Sequence, residues 1–165
     1  MGLDITAYRR VKRIGDATSW DDYENRFDWR VATFVPSDQD FQERTPPIAG
    51  GVYARNEGDL FEFRAGSYSG YNDWREELSK MAMGVVPQVV WVNPERYQGL
   101  PFFELIHFSD CEGIIGTDAC KRLAEDFATW QEKADAINDD WFQSKYALWR
   151  KAFEWASDGG FVRFH

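Results

Sequence analysis

Cysteine is scarce in this chain of 165 residues: there are two, Cys111 and Cys120. That is too few for the disulfide framework of a small secreted scaffold. Histidine is as rare, and His107 is the one internal member of the pair, so a metal centre built on imidazole has little to draw on. No segment approaches the roughly 18–20 apolar residues of a membrane span. The start, Met1-Gly2-Leu3-Asp4-Ile5, lacks the charged region, apolar run and cleavage site of a secretory signal. Two thiols without a pairing pattern fit a reducing cytosol. Basic residues are in deficit, 19 Lys and Arg against 28 Asp and Glu, for a net charge of -9. Duplex nucleic acid is bound mainly by neutralising phosphates, so this balance argues against it. There is no internal repeat and no low-complexity tract.

Aromatic residues are abundant: eight Trp, seven Tyr and thirteen Phe. They supply ample apolar surface to offset chain entropy, so the chain is expected to fold as one globular domain. The acid excess is concentrated, with ten acidic against three basic side chains over residues 104–140. Such a field favours solubility and attraction to a basic partner.

Alternating Leu3, Ile5 and Ala7 predict an opening strand within 2–13, ending in the basic group Arg9, Arg10, Lys12 and Arg13. Ser19 is placed to cap a short helix. A strand is expected over 29–35, a proline-bearing loop over 36–50, and strands over 51–55 and 60–65 around an Asn56–Asp59 turn. A helix over 73–83 with Asn72 as its cap puts Trp74, Leu78, Met81 and Ala82 on one face. Strands are predicted over 85–92 and 101–108. Helices over 117–137 and from 139 or 140 to 157 follow, stopped by Asp158-Gly159-Gly160, with a terminal strand over 161–165. This order does not alternate strictly. It predicts an α+β domain in which about three helices pack on a mixed or antiparallel sheet.

Three groups of residues suggest chemistry. The first runs from Gly66 to Arg75, between a predicted strand and a predicted helix. Gly66, Ser67, Ser69 and Gly70 allow close approach of a ligand. Tyr68, Tyr71 and Trp74 offer faces for a base, and Arg64, Asn72 and Arg75 offer donors for phosphate or carboxylate. It lacks the Gly-Lys-Ser/Thr ending of a Walker loop and the glycine spacing of a dinucleotide fingerprint, so no bound cofactor is expected. The same residues also read as a turn whose rings fill the core.

The second group is Glu104, His107, Ser109, Asp110, Cys111 and Glu112. It contains acids, an imidazole and a thiol, but no evident third catalytic member or second ligand cluster. No metal is assigned. Its other reading is a loop held by its own Ser109 and Asp110; a third has Glu104, alternating onto the Phe102 face, semi-buried and paired with Arg64 or Arg75. The third group is the acidic face formed by Asp118, Glu125, Asp126, Glu132, Asp135, Asp139 and Asp140. It reads either as a docking surface for a basic protein or as a solvated helix face.

The residues 2–8, 66–75, 104–116 and the ending Phe164-His165 together resemble a group of small uncharacterised proteins of tailed bacteriophages and bacterial prophages. The likeness covers most of the chain and is weakest over 14–50. It implies an accessory protein acting in the cytoplasm of a bacterial host, in a setting where many proteins counter host defence. They do so by sequestering a nucleotide signal, by blocking a defence protein or, less often, by enzymatic modification. From the residues, non-catalytic binding is the favoured reading, with a nucleotide-like molecule or a basic host protein as the thing bound. A small hydrolase or transferase using His107, Asp110 and Glu112 is the enzymatic alternative.

Overall fold

A computed structural model describes residues 2–165. Strand β1 (Leu3–Tyr8) is the centre of the architecture. It pairs antiparallel with β5 (Leu60–Gly66) on one side and β7 (Phe161–Phe164) on the other, and β6 (Gly113–Ile115) pairs with β7. The strand order of this sheet is β5-β1-β7-β6. A second antiparallel sheet holds β2 (Lys12–Gly15), β4 (Gly51–Ala54) and β3 (Ala32–Val35), in the order β2-β4-β3. The chain passes between the sheets at Arg10, which adopts a positive φ of 52°. The single strand expected over 2–13 is therefore two strands in two sheets. Two of the basic group at this corner are paired, Arg9 with Asp59 at 2.7 Å and Arg10 with Asp158 at 2.6 Å.

Period-two alternation explains the layers. Leu3, Ile5 and Ala7 of β1, with Val162 and Phe164 of β7, face the helices and join the main core. Tyr8 and Phe161 point the other way, into a smaller cluster with Val35 and Tyr53 of the second sheet. The four-stranded sheet is thus a middle layer. Helices α2 (Tyr68–Met83), α6 (Thr117–Thr129) and α8 (Asp140–Ala156) cover one face, and the three-stranded sheet approaches the other. The fold is a single α+β domain, as its element order predicts.

Aromatic stacking organises the helical core. Trp149 of α8 stacks on Trp74 at 5.8 Å and on Phe153 at 5.8 Å, and meets Phe63 edge-on at 5.1 Å. Such pairs contribute beyond the area that they bury. Asp139 caps α8 by accepting from the amides of Trp141 and Phe142, and α8 closes before Gly160. A Cβ on Gly160 would collide with the carbonyl of Tyr8, so only glycine lets the chain turn back there as β7.

The described residues form five further short helices: α1 (Trp20–Arg26), α3 (Pro87–Val92), α4 (Pro94–Tyr97), α5 (Phe103–His107) and α7 (Gln131–Ala136). The cap expected at Ser19 is present and accepts from the Asp22 amide at 3.1 Å. Two predicted strands are helical instead. Pro87 and Pro94 each open a helix, where their fixed φ is favourable and the missing N–H costs nothing. The predicted 101–108 strand is displaced by a left-handed Phe102, φ 61°, whose amide donates to Asp126 at 2.8 Å and sets up α5. Helix α2 starts five residues ahead of the expected position. Ser67 is its cap, accepting from the Gly70 amide at 3.0 Å, and Asn72 lies inside the helix. The 36–50 segment contains no helix or strand, as expected, and packs through Phe41 on Phe108. No helix among the described residues is long and apolar enough to cross a membrane.

Candidate functional site

The alternation that sends Val162 and Phe164 into the helical core sends Arg163 into the space between the sheets. Its guanidinium donates to the Thr33 hydroxyl at 3.1 Å and to the carbonyl of Phe34. It lies 5.6 to 5.8 Å from the ring centres of Trp20, Tyr8 and Phe161. Cation–π contact with three rings holds the charge in place but does not cancel it. Burial presses the Arg163 pKa below its ordinary value, the opposing influence coming first from Tyr8.

Arg163 lines two adjoining hollows, with Tyr8 and Trp20 common to both. One has a volume of about 400 Å³ and is bordered by Tyr23, Trp29, Arg55 and a single acid, Glu24. Arg55 donates to the Trp29 carbonyl at 3.0 and 2.6 Å. Neither Arg55 nor Arg163 has a carboxylate within 4.0 Å among the described residues. The other hollow, of about 530 Å³, has the opposite polarity. Asp38, Asp40, Glu62 and Glu112 reach it, and Thr6 meets the His165 Nε2 at 2.9 Å on its wall. Trp20 and Trp29 remain 47% and 68% exposed, so flat faces are open beside the two cations. Together the hollows offer a cationic, aromatic end and an acidic, hydrogen-bond-accepting end, at volumes typical of small-molecule sites.

No protein-family model, curated protein or solved structure matches this chain.

The residues singled out in the sequence are distributed differently. Tyr71 and Trp74 are sealed in the core, 0% and 1% exposed, and cannot stack a ligand. The early start of α2 turns both rings onto Trp149. Burial pushes the Tyr71 phenol up to about 12. Tyr68 packs partly against the same core. Ser67 and Ser69 stay exposed and bond to each other at 3.1 Å. Arg64 lies on the surface against Asp4 at 3.2 Å. The pocket expected along 66–75 therefore does not form as a unit.

Part of it reappears elsewhere. Asn72 donates to Asp110 at 2.7 Å and accepts from Arg75, which donates to the Phe108 carbonyl at 2.8 Å. The first and second groups thus meet through Asn72, Arg75 and Asp110. Within the second group, Ser109 receives the amides of Cys111 and Glu112 at 3.2 Å each, the self-held loop anticipated from its sequence. Glu104 pairs with Arg122 at 2.5 Å, not with Arg64 or Arg75. His107 stacks on Phe103 at 5.1 Å, and its buried Nδ1 has no partner. Burial, then the Arg44 charge, holds its pKa below the ordinary 6.5. No hydrogen bond joins His107, Asp110 and Glu112 among the described residues, and Glu112 opens on a different hollow from Asp110. No three His, Cys, Asp or Glu side chains among the described residues converge as a metal site requires.

The acidic face is partly solvated as expected: Asp118, Glu125, Glu132, Asp135, Asp139 and Asp140 are exposed, among Lys121 and Lys133. Asp126 departs from it, because its carboxylate turns inward to the Phe102 amide. Burial raises its pKa. Arg55, Arg163, Trp20 and Trp29 were outside every sequence-derived group. The one available signal was the alternation Phe161-Val162-Arg163-Phe164, which places an arginine on a face shared with an aromatic ring.

Proposed function

We propose that this protein binds a nucleotide-like small molecule in the cleft between its two sheets and holds it unchanged. One observation carries the reading: Arg55 and Arg163 line a common hollow with no carboxylate within 4.0 Å of either, beside the exposed rings of Trp20 and Trp29, and Glu24 is the one acid on its wall. Guanidinium forks suit phosphate, and indole faces suit a base. The acids of the adjoining hollow suit amino and hydroxyl groups of a base or sugar. Non-catalytic capture is favoured over turnover because His107, Asp110 and Glu112 assemble no nucleophile, base and orienting group. In the setting implied by the resemblance to phage proteins, the role is sequestration of a nucleotide signal used in host defence.

A panel of mono-, di- and cyclic nucleotides screened by thermal shift tests this, with mass spectrometry of the recovered ligand. The reading expects at least one to raise the melting temperature and return intact. A ligand returned altered would establish an enzyme, and a panel without effect would remove the reading. A second reading, docking of a basic host protein on Asp118, Glu125, Glu132 and Asp135, has the exposure of those acids in its favour. It predicts association that weakens steeply with salt and is lost when Glu125 and Glu132 become lysine.

A further inference from the structure

Arg75 is 2% exposed, yet its Nε has no hydrogen-bond partner and no carboxylate lies within 4.0 Å of its guanidinium. Its partners are neutral: the Phe108 carbonyl and the Asn72 amide oxygen. The nearest acid in this network, Asp110, is taken by the other end of the Asn72 amide. Burying a charge in this way is costly unless an opposite charge completes it. The side chain is held between Tyr71 and Trp91, 5.0 Å from each ring centre. It lines a hollow of about 340 Å³ that shares only Cys111 with the cleft between the sheets.

A second guanidinium reaches the same hollow from the 36–50 loop. Arg44 sits 4.8 Å from the Phe41 ring centre and donates to the His107 carbonyl at 3.4 Å. Its acidic neighbour Glu43 is 3.6 Å away and largely exposed, so that pairing is weak. Ser109, Asp110 and the partly exposed Cys111 complete the wall, and the Asp110 carboxylate is held by the Asn72 amide at 2.7 Å. Two forks, one buried and incompletely paired and one on a loop above it, are the arrangement that receives an oxyanion.

We propose that this hollow is a second binding site, specific for the oxyanion group of a small molecule, phosphate or carboxylate, held between Arg75 and Arg44. Cys111 provides a reporter, because Cys120 is fully buried. Iodoacetate and iodoacetamide both alkylate a thiolate with loss of iodide, and only iodoacetate carries the anion. Their rate ratio at Cys111 is measured by mass spectrometry and divided by the ratio at glutathione. The site predicts a normalised ratio of about ten, from local enrichment of the anion. Arg44→Gln, on a loop outside the core, should return the ratio to near unity. Arg30→Gln, an exposed arginine paired with Asp28, should leave it high. Protection by inorganic phosphate identifies the phosphate source, and protection by acetate alone the carboxylate source. A normalised ratio of one or less in the unaltered protein, or protection by neither anion, overturns the proposal. A nucleotide result at Arg55 and Arg163 bears on neither outcome, and the acids on both sides of Cys111, Asp110 in this hollow and Glu112 in the next, repel iodoacetate and so cannot produce the preference.

Discussion

The guanidinium of Arg163 lies 5.6 Å from the ring centre of Trp20, joining the last strand of the chain to its first helix. Trp20 also meets Phe34 edge-on at 5.1 Å, so the ring is braced from the second sheet while its outer face stays open. A braced ring beside a cation with no carboxylate within 4.0 Å loses little freedom when a ligand stacks on it.

Trp20→Ala should therefore weaken nucleotide binding more than it weakens the fold. Loss of one stacking face is worth about 1–3 kcal/mol, or roughly 5- to 150-fold in Kd. Parallel calorimetry and urea unfolding separate the two effects.

Trp149→Ala should remove the centre of the aromatic core. Trp149 is 0% exposed and touches Trp74, Phe153 and Phe63. A loss of roughly 3–5 kcal/mol is expected from chemical denaturation, with the Cys111 alkylation ratio intact in the fraction that remains folded.

The two polar residues that compete as caps of α2 should behave differently. Ser67→Ala removes the acceptor for the Gly70 amide and should cost about 1 kcal/mol. Asn72→Ala strips a partner from both Arg75 and Asp110 and should cost roughly 1–3 kcal/mol. Equal effects in urea titrations would contradict this division of roles.

His107 gives the fold a pH dependence. Its folded pKa is depressed by burial and then by Arg44, with Glu43 opposing. The unfolded chain therefore takes up the proton first as pH falls. Stability is fully present above the ordinary 6.5 and declines as pH drops from there toward the folded value. His107→Phe should flatten that slope in melting temperatures recorded between about pH 7 and 5.

The strands and the long helices are legible because their signals are local. Leu3, Ile5 and Ala7 alternate, Asp139 caps α8, and the chain turns into β7 at Gly160, where a side chain would strike Tyr8. The 85–92 and 101–108 segments are not, because the β-propensity of their Val, Phe and Ile residues is overridden. Pro87 serves as a helix opener, and Asp126, distant in sequence, fixes the Phe102 turn. The candidate site was illegible for a related reason. A cluster of Ser, Tyr, Trp and Arg in sequence becomes core once the helix starts at Tyr68. The cleft is instead assembled from Trp20, Arg55 and Arg163, far apart along the chain, and packing of α1 and the second sheet against the first brings them together.

The most direct measurement is calorimetric titration of the nucleotide panel into the unaltered protein and into Arg55→Gln and Arg163→Gln variants of unchanged circular dichroism. The predicted result is saturable binding of at least one nucleotide, weakened about tenfold or more in each variant, as loss of a charge-assisted hydrogen bond implies. Absence of binding at millimolar nucleotide, or binding that both variants retain in full, would contradict the cleft as the ligand site.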